Sequence, residues 1–517
     1  MLRFLFACLL LLPILPEMSY GYYSNGRWAA TATDPAVAPV GFPTTLTWSI
    51  AADGTPLSTG GTSNFVSFFD GLLGSGGGGT NLSQRPWFTF VKQSFDRWTE
   101  LSGLAFVYEP ADDGATHGNA TGAIDVRGDV RLAGKFLDGV GGTNAQAGFI
   151  PNADLTVDTG DSVYFGNATN SYRALRNTLM HEIGHAFGLG HVDSNSAAFL
   201  MEGFSNNSFE GPQLDDVRGV QALYGDKYER LAGTGGNESI EQASMLGVID
   251  PGTSLKIGTH AATGTLVLST ETDFASIANQ SDVDFYSFTL SGAATIDLTV
   301  TPLGASYNER IGGSSSAFVT TNAAQLSNLD LALYAVVDGL PTQIGSSNAQ
   351  PLGVAESLLG VDLTAPGDYF VRIAGSSAAT QLYQLEIKVD ATIEPTLGGD
   401  FDLDGDVDGA DFLTWQQGAG SAYDDEDLAA WRANFGALAG GNVVNSTLAT
   451  PEPSVWALAG IAACCGWNWR KRRYRTAKSL TAVVQNRADF LKPLSAPYIL
   501  ALPRLSRAAI SFALGGD

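Results

Sequence analysis

The run HEIGHAFGLGH at residues 181–191 holds three of the five histidines in a 517-residue chain, and it restricts the local fold more than any other stretch. In a helix, positions i and i+4 stack on one face, so His181 and His185 point both imidazoles the same way, with Glu182 flanking them. Gly188 follows three residues later, where a residue free to take positive φ ends the helix and swings the chain back. His191 then closes the site. Three neutral imidazoles and one open position describe a catalytic zinc, which brings the pKa of its water towards about 7 and polarises a carbonyl; a structural zinc would use four protein ligands. Glu182 is placed to take the water's proton. The plainer reading is a histidine-rich surface helix, but five specified residue types at fixed offsets rarely coincide by chance.

The segment is similar to the metzincin pattern H-E-x-x-H-x-x-G-x-x-H. FLMEGF puts Met201 ten residues after His191, where a metzincin has its Met-turn, and GPQLDDVRGVQALYG looks like the closing helix of the matrixin branch. Leu214, Val217, Val220 and Leu223 form the apolar stripe of that helix. Upstream, LTWSI (46–50) reads as a strand, and PWFTFVKQSFDRWTELSG as an amphipathic helix with Trp87, Val91, Phe95, Trp98 and Leu101 facing inward. LAFVYEP, AIDV and SVYF read as further strands. This order resembles a matrixin catalytic domain of the α+β zincin fold over residues 27–226. Vertebrate matrix metalloproteinases carry a second, structural zinc on three histidines. Here His117 alone precedes the catalytic helix, with Gln146 and Thr156 where histidines would stand, so no second zinc is expected. Cysteine counting excludes latency by a propeptide thiol and any disulfide in the mature ectodomain. Cys8 lies in the leader, and Cys464 and Cys465 in a late apolar segment. Residues 138–142, DGVGG, fall where the resemblance would put structural calcium, and taken alone they read as a Gly-rich surface loop.

The formal charge of −25 conceals an asymmetry: residues 470–517 hold ten Lys/Arg against two acidic residues, leaving 18 basic against 51 acidic before them. So acidic a surface argues against nucleic acid and anionic membrane as partners. Residues 1–21 read as a secretory signal peptide, with one arginine and then a mostly apolar run. Residues 227–237 read as a linker, on the Gly-rich run LAGTGGNES that starts at Leu231. Residues 238–390 then show short alternating runs (DVDFYSFTL, TIDLTV, LDLALYAVV, GDYFVRIAG, LYQLEIKV) that predict an all-β sandwich. Their pattern looks like the pre-peptidase C-terminal domain found beside secreted bacterial proteases, and the resemblance implies Asp282 and Asp284 as calcium contacts.

DFDLDGDVDGAD at 400–411 alternates oxygen ligands as Ca²⁺ requires, with Asp400, Asp402 and Asp404 at loop positions 1, 3 and 5. Asp406 supplies its carbonyl at 7, Asp408 acts at 9 and Asp411 closes the loop at 12. DFLTWQQG and DEDLAAWRANFG resemble the paired helices of a small dockerin-like calcium module over 398–436, which implies a cohesin-like partner. Its second loop is degenerate, keeping Asp424 and Asp427 but carrying Gln416, Gly418 and Gly420 at the earlier positions. Residues 451–475 join Pro451, Glu452 and Pro453 to an apolar stretch and a basic cluster. This resembles a PEP-CTERM sorting signal with a membrane-spanning helix, implying an exosortase-like partner and transient anchoring in the inner membrane; a plain stop-transfer anchor is the alternative. The basic tail at 476–517 departs from that pattern and has no assigned role.

The sequence thus predicts a multidomain, exported zinc endopeptidase of matrixin type, cell-surface or extracellular. It would act on extended protein substrates with one catalytic Zn²⁺, Glu182 as general base and at least one Ca²⁺. The rival is a calcium-dependent surface or adhesion protein with a vestigial protease domain. Against it, a domain freed from catalysis has no physical reason to keep Glu182, which is not a metal ligand.

Overall fold

The computed structural model of the protein describes residues 21–261, 264–390, 397–402, 404–420 and 422–438. These fall into two units dividing after Ile393. The first opens with β1 (Thr44–Ile50), α1 (Phe65–Leu73), α2 (Phe88–Leu101), β2 (Leu104–Tyr108), β3 (Val130–Lys135), β4 (Ala145–Ala147) and β5 (Leu155–Asp158). Then come α3 (Ser162–Phe165), α4 (Arg173–Phe187), β6 (Val192–Ser194), α5 (Leu214–Tyr224) and α6 (Lys227–Ala232). The sheet order is β2-β1-β3-β5-β4, parallel except for β4, which runs antiparallel along one edge. Trp48 of β1 stacks on Phe95 of α2 with ring centroids 4.5 Å apart. Trp87, Val91, Phe95, Trp98 and Leu101 are buried, as the helical period requires.

Two expected strands are corrected. AIDV is a turn in which Ala123 bridges Arg127 and Asp125 takes φ 60°, and the strand comes later, at Val130–Lys135. That strand shows no alternation in sequence because both its faces are covered; even Arg131 is fully buried, paired to Asp112 at 2.7 Å. SVYF is one helical turn, in which the Phe165 N–H donates to the Asp161 carbonyl and the Phe165 ring reaches the core. Four residues are too few for period alone to separate strand from helix.

The remaining strands are β7 (Ser244–Val248), β8 (Ser254–Ile257), β9 (Ala275–Ile277), β10 (Val283–Leu290), β11 (Ala294–Leu303), β12 (Ser306–Ile311), β13 (Val319–Asn322), β14 (Leu329–Val337), β15 (Leu340–Ser347), β16 (Glu356–Leu363), β17 (Gly367–Gly375) and β18 (Gln381–Val389). They form sheets of order β15-β14-β17-β10-β7 and β16-β11-β18-β8, with β9 also on β18. All five alternating runs are strands, and their inward residues, among them Phe288, Leu298, Leu333, Val371 and Leu385, share one core. The hairpin β12–β13 instead leaves the sandwich and pairs with β6.

The expected linker at 227–237 is also corrected, because Asp226 caps α6 and its second oxygen accepts the Ser276 N–H of the sandwich at 2.8 Å. α5 departs from expectation too. Its predicted stripe, Leu214, Val217, Val220 and Leu223, is buried, but so is its polar side. Arg218 pairs with Asp215 at 3.3 Å and donates to the Thr380 carbonyl of the sandwich, and the Tyr307 hydroxyl donates to Asp215 at 2.5 Å. Val267, Phe274 and Leu382 pack into the same core as α2 and α4.

The second unit holds α7 (Gly409–Gly418) and α8 (Asp425–Asn434), capped by Asp408 and Asp424. Trp415 donates its indole N–H to the Asp424 carbonyl and Trp431 to the Asp408 carbonyl, while Phe412 and Trp431 meet at 5.0 Å. No helix of the described residues is long and apolar enough to cross a membrane. The leader through residue 20, the segment with Pro451, Glu452 and Pro453, and the tail at 476–517 lie outside the described residues.

With α5 covered on both sides, residues 21–390 are expected to unfold in one cooperative transition. Arg218→Ala leaves Asp215 buried without its cation and is expected to cost about 3–5 kcal/mol in chemical denaturation.

Candidate active site

One face of α4 is core: Leu175, Leu179, Ile183, Ala186 and Phe187 are buried, and Trp98 meets Phe187 edge-on at 4.7 Å. His181 and His185 lie on the other. Between them Gly184 rides on the methionine of the expected Met-turn, since a Cβ there would come 2.4 Å from Met201 Sδ. Met201 is buried, and its N–H and that of Leu200 donate to the Asp216 carboxylate of α5 at 3.1 and 2.7 Å. Burial pushes Asp216 up to about 6 against these donors.

α4 ends at Gly188, whose φ of 121° suits glycine and whose Cβ position lies 1.9 Å from the Gly26 carbonyl oxygen. Asn25 N–H donates to the Gly188 carbonyl and Gly190 N–H to the Tyr23 carbonyl, both at 2.7 Å. Residues 22–26, given neither to the leader nor to the domain by the sequence, therefore brace the turn that delivers His191. Tyr23 and Asn25 also line the cleft. No local period marks this segment.

The three imidazoles converge. His181 and His185 Nε2 lie 3.1 Å apart, His181 and His191 Nε2 3.1 Å, and His185 and His191 Nε2 3.0 Å. His181 Nδ1 meets the Leu200 carbonyl at 2.6 Å and His185 Nδ1 the Leu189 carbonyl at 2.7 Å. A carbonyl only accepts, so both Nδ1 atoms carry the proton and both Nε2 atoms present lone pairs to each other. Facing lone pairs repel, and a cation between them removes the repulsion. Tetrahedral zinc with about 2.0–2.1 Å bonds needs nitrogens roughly 3.3 Å apart, close to the spacing found, so the residues fit the ion. Burial, with His185 adding to it, lowers His181 to about 3, and burial lowers His185 to about 4, which keeps both neutral.

Glu182 shares this cleft of about 810 Å³. Burial pushes its carboxyl up to about 8, opposed by the Ala147 N–H of β4. β4 forms the edge of its sheet, and Phe149 and Phe204 stand exposed along the walls.

The other sequence candidates fall elsewhere. His117 is buried with Nε2 3.1 Å from the Arg131 and Leu155 carbonyls, while Gln146 and Thr156 face each other across β4 and β5. Asp282 and Asp284 are buried with Glu229, their carboxylate oxygens within 4.8 Å of one another. Glu229 Oε1, Asn237 Oδ1, Asp282 Oδ1 and Asp284 Oδ1 have no protein partner. Glu229 and Asn237 were hidden in the stretch read as linker. In the second unit, Asp400, Asp402 and Asp411 form one oxygen cluster and Asp406, Asp408 and Asp411 another, with Asp404 in neither.

Residues 79–225 match the matrixin family model. Matrix metalloproteinase-16 of Rattus norvegicus is 29% identical over 149 residues, covering 26% of this chain and 23% of its own. Matrix metalloproteinase-19 of Homo sapiens is 31% identical over 144 residues, 26% of each. The chain thus spans about a quarter of the length of these relatives. Among solved structures, the pre-peptidase C-terminal domain of collagenase from Bacillus anthracis aligns over 28% of this chain and 96% of its own, at 14% identity and a TM-score of 0.16.

Gly184→Ala drives a methyl into Met201 and is expected to lower both melting temperature and bound zinc, read by calorimetry and elemental analysis. Gly203→Ala, whose Cβ would sit 3.4 Å from His191 Nδ1, is expected to leave both near wild type.

Proposed function

We propose that the chain is an exported zinc endopeptidase of matrixin type that cleaves extended stretches of protein. The observation that carries this reading is the convergence of three Nε2 atoms beside a buried carboxylate, in a cleft edged by an open strand. When bound, zinc supplies Lewis acidity towards water and the scissile carbonyl. Beside that charge Glu182 would act as the carboxylate that accepts the proton of the attacking water and hands it to the leaving amine nitrogen. The outer edge of β4 offers main-chain groups to a peptide laid beside it, which binds most unfolded sequences alike. Selection among them falls to side-chain pockets, one of them walled by Phe204 beyond the Met-turn.

Calcium is the second ion of the reading. The loop Asp400, Asp402, Asp404, Asp406, Asp408 and Asp411 supports one site, and the buried group Glu229, Asn237, Asp282 and Asp284 supports another. The leader and the segment from Pro451 support export and transient retention at the inner membrane, and the dockerin-like helices a cohesin-like partner.

Glu182→Ala is expected to keep its zinc and lose about 10²–10⁴-fold in cleavage of an unfolded protein; unchanged cleavage would refute the assignment of the base. A pH dependence follows for the buried carboxylates. Burial raises Glu229, Asp282 and Asp284 well above the ordinary range, so without metal the folded state holds protons that the unfolded chain releases above about pH 4. In chelator, the melting temperature is therefore expected to fall as pH rises from about 5 to 8, and added calcium to remove most of that slope.

A further inference from the structure

The sandwich reaches into the catalytic cleft. We propose that Ile311, on the hairpin β12–β13, is a specificity-determining residue that selects an apolar substrate side chain lying beside His191. The inference rests on the endopeptidase reading and adds to it a part of the cleft contributed from outside the matrixin segment.

β12 pairs antiparallel with β6, the strand that starts directly after His191, matching Ile311 with Val192, Arg310 with Asp193 and Glu309 with Ser194. The Gly312 N–H donates to the His191 carbonyl at 2.8 Å, and a Cβ on Gly312 would stand 2.5 Å from His191 Cβ. Only glycine permits so close an approach to the third ligand. The hairpin is pinned along its length. Arg310 pairs with Asp193 at 3.1 Å, the Ser194 hydroxyl donates to the Asn308 carbonyl at 2.6 Å, and the Asn308 N–H donates to Ser196 Oγ at 2.7 Å. At its base Tyr307 is buried, bonded to Asp215 and edge-on to Phe199 at 5.1 Å.

On this fixed strand Ile311 is 53% exposed, and it lines the same cleft as His181, Glu182 and His191. An aliphatic side chain held open to water beside reacting atoms gains most from an apolar group that covers it. The chemistry it recognises is therefore an aliphatic or aromatic residue of the substrate, while the β4 edge reads the main chain.

The test profiles the full chain against a peptide library with each position around the cut varied in turn, comparing wild type with Ile311→Ala and Ile311→Arg. At a single position, Ile311→Ala is expected to flatten an apolar preference and Ile311→Arg to turn it towards acidic residues, each by about tenfold in relative kcat/KM, with other positions unmoved. Ile311 is exposed, so zinc content and melting temperature should stay at wild-type values in both variants. Active variants whose profiles match wild type at every position would overturn the inference and leave the endopeptidase reading intact. A zinc-loaded wild-type chain that cleaves no peptide would overturn both.

Discussion

Three imidazole Nε2 atoms converge at 3.0–3.1 Å, and the lone pairs of the His181 and His185 Nε2 atoms face each other because their Nδ1 protons are held by carbonyls. Every layer around them serves to hold that geometry. The Leu200 and Leu189 carbonyls fix the ring tautomers, Gly184 lets the helix settle onto Met201, and Gly188 turns the chain so that His191 returns. Asp216 ties the backbone at Leu200 and Met201 to α5, Tyr307 ties Asp215 of α5 to the hairpin, and Arg218 ties it to the Thr380 carbonyl of the sandwich. The convergence of the three histidines is thus supported, contact by contact, from strands more than a hundred residues downstream.

Those contacts change what the sandwich is. An isolated catalytic domain would leave the polar side of α5 in water, where Asp215 and Arg218 are well solvated. Here both are buried, and their desolvation is offset by each other, by Tyr307 and by the Thr380 carbonyl. The sandwich covers one side of α5 and sends a hairpin to the strand that follows His191.

What could be read from the sequence followed from local period. HEIGHAFGLGH encodes its helix, its stop and its returning histidine within eleven residues, and the inward face of α2 and the alternating sandwich strands were equally visible. What could not be read depended on distant partners. Val130–Lys135 loses alternation because both faces are covered, and the polar face of α5 looks solvent-exposed until Tyr307 and Thr380 arrive. Tyr23, Asn25, Glu229 and Ile311 sit in segments that read as leader boundary, linker and an unassigned part of the accessory sandwich. Their roles come from packing against α4, the sandwich core and β6.

A helix dry on both sides also links the ancestry of the two halves. A protease head that merely carries a passenger can trade it by recombination at the seam, and the new pair will still work. Here a swap near residue 226 would strand an ion pair in the wrong surroundings and withdraw a strand from beside His191. In chains that keep both parts, changes at Asp215 or Arg218 are expected to be answered by changes at Tyr307.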